Sequence, residues 1–440
     1  MRSSNYNPAG ERGLFRRDRR LYVHRGTHTF TIPDGVTKIW AFAMGSGGGG
    51  AAQNIDSNGM SGGMVGGGKG GGYASGIISG LTPGGTLTLT IGAGGIGTFE
   101  TATAGTGANT TVVGGSTTYL QGNGGGGGSN TAITSDPGTG KGQGGTASTN
   151  SVTDAYTAAG GGSYNWTAGI GYGGITANGN MNVVMGGGAS GSPFGTGQPG
   201  SKCIGYSNSA NGGGGWCQID YPRDQWLKGS SGEYARGGVA LGGFGSHTPS
   251  QYFSGRSHYM WFDGKNGGEG QKAKGGLTLY AQDFKTSKNY QYQYFGTERI
   301  DTPGLVTQTK YNIASEMDGE DGNPDWWFPW EIDGGGGGGV VCDQASGQIW
   351  QAGSGGPGAG GGGGRCSSSD TSNVVGGQGG FGGGGGATYN STNNIARMCM
   401  SWGGRGGNGG GGGSAHGRTD GSRYMAIGGD GGDGAIGIYW

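Results

Sequence analysis

Residues 334–339 are six glycines in a row, a stretch of chain with no side chain at all, and such runs recur at 47–50, 66–68, 70–72, 124–128, 160–162, 186–188, 212–215, 360–364, 382–386 and 409–413. A chain built this way has no ordinary core. Glycine supplies 121 of 440 residues, about 27% against a usual share of roughly 7%. Each glycine in a regular element costs roughly 0.5–1 kcal/mol relative to alanine, so 121 of them forfeit on the order of 60–120 kcal/mol, against a net stability of about 5–15. What glycine permits in return is close approach of backbones. An extended, polyproline-II-like chain has no internal hydrogen bonds, so every N–H and C=O is left for a neighbour. Gly-rich segments packed side by side would satisfy those groups laterally, a core made of backbone. At about 3.1 Å per residue, runs of five or six would stack into a slab roughly 15–20 Å long.

Other glycine-rich architectures fit less well. Collagen needs glycine at every third place and abundant proline, whereas the chain has 12 prolines and unbroken runs such as 124–128. A solvated, disordered chain is charged and poor in aromatics, yet here 10% of residues are aromatic and only 12% charged. Acidic and basic residues balance at 27 each, which gives no reason to expect nucleic acid or a charged membrane as partner. One asymmetry stands out: Arg2, Arg12, Arg16, Arg17, Arg19, Arg20 and Arg25 crowd residues 1–25, which read as a basic arm docking onto a partner. No apolar run reaches the ~7–15 residues of a signal peptide or the ~20 of a membrane span, so synthesis in a cytoplasm without membrane insertion is expected. The five cysteines, Cys203, Cys217, Cys342, Cys366 and Cys399, follow no metal-binding spacing and read as buried thiols, with a Cys203–Cys217 disulfide as the alternative.

Composition divides the chain into four regions: the arm, 1–25; a first Gly-rich region, 26–215; an aromatic-rich insertion or set of long loops, 216–333; and a second Gly-rich region, 334–440, ending in a strand. Residues 27–44 read as two strands around a Pro33-Asp34-Gly35 turn, residues 86–95 alternate with Leu87, Leu89 and Ile91 on one face, and "AIGIYW" ends the chain as another strand. Helical periodicity is essentially absent, residues 394–400 being the one weak candidate.

The segments "IPDGVTKIWAFAMGSGGGG", "ISGLTPGGTLTLTIGAGG" and "GGDGGDGAIGIYW", in that order, resemble the glycine-rich domains of bacteriophage tail-fibre proteins and fibre-tip adhesins. The resemblance implies a mostly non-helical fold, a sandwich of polyglycine-II helices flanked by short strands and carrying long inserted loops. It also implies a virion protein that binds a bacterial surface glycan or outer-membrane protein without covalent chemistry. The arm would join other tail or fibre proteins, with a homotrimer or a place on a trimeric fibre as the expected assembly. The insertion and the basic arm depart from the family pattern.

No enzyme, cofactor or metal is expected. At this glycine content G-x-G-x-x-G arises roughly nine times by chance and means nothing, the P-loop motif is missing, and the five histidines are scattered. Asp318, Glu320, Asp321 and Asp325 would offer oxygens to calcium but lack EF-hand spacing and read as a solvated turn. The candidate receptor-binding residues are aromatic. Trp326, Trp327, Phe328 and Trp330 sit between Pro324 and Pro329 where the insertion meets residues 334–339, and Tyr252, Tyr259, Trp261 and Tyr292 lie in two further aromatic stretches. Aromatics on a rigid loop offer large contact area at low entropic cost. The same residues would equally form a small local core under the loops. Two other functions stay open: a structural virion fibre or decoration protein that binds no receptor, and an ice-binding protein.

Overall fold

The computed structural model describes residues 18–56, 63–99, 103–132, 144–162, 182–193, 195–198, 200, 209–210, 212–216, 279–280, 292–295, 298–301, 340–342, 349–352, 354–355, 358, 360–366, 373–390, 400–419 and 425–440. These contain no helix; they are short strands in open sheets, joined by extended glycine runs. The candidate helix at 394–400 lies outside them, apart from Met400, which opens a strand.

At one end two antiparallel sheets pack face to face. The first is ordered Ala147–Thr149, Thr117–Gly122, Thr110–Gly114, Thr86–Ile91, Gly26–Thr31. In Thr86–Ile91 the residues Leu87, Leu89 and Ile91 are buried and Thr86 and Thr88 exposed, the period of two that a half-buried strand requires. The second sheet is ordered Arg19–Tyr22, Ala435–Tyr439, Lys38–Met44, Tyr73–Ser79, Thr153–Ala158. Phe30, Leu87, Leu89 and Leu120 of the first share one core with Ile39, Ile78, Ile436 and Ile438 of the second. The strands expected around Pro33-Asp34-Gly35 both exist, but they are not a hairpin. Gly26–Thr31 pairs with Thr86–Ile91, and Lys38–Met44 with Tyr73–Ser79, so the turn carries the chain between sheets. The reason lies in "KIWAFAM", apolar on both faces and therefore needing cover on both. Ile39, Ala41 and Ala43 fill the sandwich, while Trp40, Phe42 and Met44 join Tyr73, Tyr439, Trp216 and Phe381 in a second cluster on the other side. There the Phe42 and Tyr73 rings stack with centroids 5.6 Å apart, and Trp216 Nε1 donates to Ser190 Oγ at 2.9 Å.

Beyond Met44 the chain passes straight into glycine. Gly45, Gly48 and Ala51 donate their amides to the carbonyls of Gly72, Lys69 and Gly66; Ser46 and Gly49 donate to Ala108 and Gly105; Gly47 and Gly50 donate to Gly432 and Gly429. Successive amides turn to three neighbours in strict rotation, and the partner on each neighbour steps back by three. Three further segments donate to the same run: Gly95 and Thr98 to the carbonyls of Gly47 and Gly50, Gly125 and Gly128 to Ser46 and Gly49, Gly412 and Ala415 to Gly48 and Ala51. Residues 45–51 therefore have six neighbours, and from Ser46 to Ala51 every amide and carbonyl is bonded. Residues 381–387 are surrounded in the same way by segments that include 187–190, 358–364, 377–380 and 404–411. At most glycines of these runs no side chain fits: a Cβ on Gly47 would stand 1.9 Å from Gly410 O.

The far ends of the runs open into strands again. Leu279–Tyr280, Val340–Cys342, Gly364–Cys366, Thr388–Asn390, Ala415–Thr419 and Ala52–Asp56 form one parallel sheet, in which Cys342 and Cys366 are register partners. Ile349–Gln351, Asn373–Val375, Met400–Trp402 and Met425–Ile427 form a second parallel sheet. Asn130–Ala132, Gly63–Val65, Asn182–Val184 and Ser209–Ala210 form a third sheet.

Candidate functional site

The two ends of the slab connect differently. Beside the sandwich the runs reverse within single turns, Gly383 N donating to Gly380 O and Gly410 N to Gly407 O, both at 2.7 Å. At the opposite end the strands that flank residues 57–62, 343–348, 367–372, 391–399 and 420–424 all belong to the far sheets. Whatever these segments do, the lattice fixes the points from which they depart.

Of the aromatic candidates, Trp326, Trp327, Phe328, Trp330, Tyr252, Tyr259 and Trp261 lie outside the described residues, as do Asp318, Glu320, Asp321 and Asp325. Tyr292 opens the strand Tyr292–Phe295, which pairs antiparallel with Glu298–Asp301 and places Tyr292 opposite Asp301. The described residues hold no group of three or more His, Cys, Asp or Glu placed to bind a metal, and no helix long and apolar enough to cross a membrane. The final segment of the basic arm, Arg19–Tyr22, is a strand paired with Ala435–Tyr439 at the edge of the second sandwich sheet.

A surface that the sequence reading missed runs along one face of the slab. The sheet from Ile349–Gln351 to Met425–Ile427 turns Val374, Ser401 and Ala426 inward: Val374 and Ala426 are fully buried, and Ser401 Oγ bonds Thr388 Oγ1 at 2.8 Å. Strand alternation therefore turns Val375, Trp402 and Ile427 outward, where they are half-buried register partners in one row. Phe99 continues the row through a bridge to Ile427 and is 49% exposed. Past the strands, each chain enters the lattice with glycine at two positions of every three. The third positions are Gln378 and Phe381, Arg405 and Asn408, Asp430 and Asp433, and, on the antiparallel neighbour, Ile96 and Ala93. Register persists throughout. The carbonyls of Trp402, Arg405 and Asn408 accept from Gly376, Gly379 and Gly382, and those of Ile427, Asp430 and Asp433 accept from Gly403, Gly406 and Gly409. A second row, Gln378, Arg405 and Asp430, thus lies three residues from the first, all exposed, with Ile96 beside it 74% exposed. Two carboxylates clamp the outermost run: Asp430 Oδ1 accepts from Gly97 N at 2.8 Å and Asp433 Oδ1 from Gly94 N at 2.9 Å. The signal was present in "VGGQGG", "WGGRGG" and "IGGDGG", where a side chain recurs at the third residue because only one position in three faces outward.

Residues 23–235, just under half of the chain, match the family model of a glycine-rich domain. No curated protein matches the chain.

Proposed function

We propose that the glycine runs are polyglycine-II struts and that the chain is a receptor-binding adhesin at the tip of a bacteriophage tail fibre. The rotation of amides among three neighbours supports the first half, because a polyproline-II-type helix repeats every three residues and points successive N–H groups in three directions. One observation carries the second half: tight turns at one end of a backbone lattice, and at the other a set of connecting segments held at fixed departure points. A lattice that cannot accept side chains has little freedom to vary, so recognition falls to the segments and surfaces it supports. In this reading Trp326, Trp327, Phe328 and Trp330, with Tyr252, Tyr259, Trp261 and Tyr292, contact a bacterial surface glycan or outer-membrane protein, and the basic arm, residues 1–25, joins the chain to other virion proteins through the part that precedes the Arg19–Tyr22 strand, residues 1–17.

The test is adsorption of the labelled protein to a panel of bacterial isolates. Binding to a narrow set of strains is expected, and replacing Trp326 and Trp327 by alanine should weaken it by roughly 2–4 kcal/mol per residue while the melting temperature stays unchanged. Absence of adsorption to every strain, or thermal hysteresis typical of an ice binder, would overturn the reading. A melting temperature lowered by the double substitution, corresponding to about 3–5 kcal/mol per residue, would assign the tryptophans to a local core.

A further inference from the structure

We infer that the outward face formed by Val375, Trp402, Ile427 and Phe99, together with Gln378, Arg405 and Asp430, is a binding platform for an extended polysaccharide. The inference rests on the adhesin reading for its biological setting but on separate residues for its chemistry. The first row places Trp402 and the half-exposed Phe99 on either side of Ile427, with Val375 beyond Trp402, all on register-paired chains. With chains about 4.8 Å apart, the row from Val375 to Phe99 spans ~14 Å, a narrow apolar line suited to the C–H faces of successive sugar rings. The second row stands three residues away, at most ~10 Å along the chain. It offers an amide, a guanidinium and a carboxylate, planar groups that bind adjacent hydroxyls two at a time. The Asp430 carboxylate is already oriented by the Gly97 amide, and each of these residues springs from a chain whose flanking glycines are locked against neighbouring backbones. Little conformational freedom is lost on binding, which favours a weakly interacting linear ligand met many times over.

The alternatives fit less well. One arginine beside two aspartates gives no net positive face for a phosphate backbone. A protein partner of stable affinity would cover about 800 Å² per side around an apolar centre several residues across, whereas this apolar line is one residue deep and bordered by charge.

The experiment uses the full chain, a printed panel of purified bacterial capsular and O-chain polysaccharides, and the variants Phe99→Ala, Arg405→Ala and Trp402→Ala. At least one polysaccharide should be retained by the wild-type chain and should quench its tryptophan fluorescence. Each substitution should raise the apparent Kd tenfold or more, and Phe99→Ala and Arg405→Ala should leave the melting temperature within about two degrees. If Trp402→Ala does not fold, the other two variants decide the matter. Retention of no polysaccharide overturns the inference, as does binding that is unchanged in Phe99→Ala and Arg405→Ala. Parallel adsorption to cells separates this failure from that of the adhesin reading. Cells bound equally by wild type and face variants, with no polysaccharide retained, sink the platform and leave the adhesin. Polysaccharide bound through the face by a protein that adsorbs to no cell sinks the adhesin and leaves the platform.

Discussion

The lattice is governed by the one atom glycine lacks. A Cβ on Gly384 would stand 1.9 Å from Gly187 O, and neither backbone has a rotamer with which to yield. Inserting even one methylene into a packed core costs roughly 1–3 kcal/mol when side chains can adjust. Here the two chains themselves would have to separate, and each carries hydrogen bonds to further neighbours. Gly384→Val should therefore abolish soluble expression. Gly126 provides the control within the same architecture. Its nearest contact for a new Cβ is the flexible Lys69 side chain, with Cδ at 3.5 Å, and its φ is not in the left-handed region. Gly126→Ala should leave the melting temperature unchanged or raise it by the equivalent of about 0.4–1 kcal/mol, through loss of unfolded-state entropy. Equal melting temperatures for the wild type and Gly384→Val would refute a core made of touching backbones.

At the element scale the fold was legible where side chains alternate and opaque where they are missing. Leu87, Leu89 and Ile91 announce their strand because one face of it is buried. The both-face burial of Lys38–Met44 was written in Trp40, Phe42 and Met44 as plainly as in Ile39, Ala41 and Ala43, but the Pro33-Asp34-Gly35 turn did not say whether the strands on its two sides would pair with each other. Turn chemistry specifies a reversal of direction but not which sheet receives the returning strand. The parallel sheets at the far end were beyond reading, since three-residue strands such as Gly364–Cys366 carry too few side chains for any period to emerge. Among the site residues, the dense aromatic stretches stand out in the sequence, whereas Trp402 and Phe99 stand singly near glycines and gain company only through register. Arg19–Tyr22 pairs with Ala435–Tyr439, Asp18 and Trp440 exchange both backbone hydrogen bonds, and the Arg20 guanidinium lies 5.9 Å from the Trp440 ring centroid. Leu21 and Val23 pack against the aromatic cluster. Deleting residues 1–17 should leave the melting temperature within about two degrees, whereas deleting 1–25 should lower it and, by baring the edge of Ala435–Tyr439, produce oligomers on size-exclusion chromatography. Identical behaviour of the two truncations would show that the strand contributes nothing to the domain.

At the scale of the whole molecule, the connections of residues 45–51 decide how the slab comes apart. Their partners are drawn from residues 66–72, 95–98, 105–108, 125–128, 412–415 and 429–432, and the runs 66–72, 95–98, 412–415 and 429–432 cannot leave without unmaking bonds that join the first quarter of the chain to its last. A solenoid, in which each repeat touches only the next, unfolds piecemeal from its ends. A lattice with six neighbours around one run has no such order of disassembly, and long-range contacts of this kind must form together, which makes folding slow and cooperative. Amide hydrogen exchange tests the difference. Gly47, Gly48, Gly49 and Gly50 should exchange only through global unfolding, at one common and slowest rate whose dependence on denaturant matches the equilibrium transition. On the outer face the exposed third positions, Ile96, Arg405 and Asp430, should exchange much faster than Gly95, Gly404, Gly406 and Gly431, whose amides are bonded inside the lattice. Protection should thus rise and fall with a period of three along each outer run and stay uniformly high along the central one. Graded rates across residues 45–51, with Gly50 opening well before Gly47, would mean that the runs detach singly and that the slab is a stack of separable pairs.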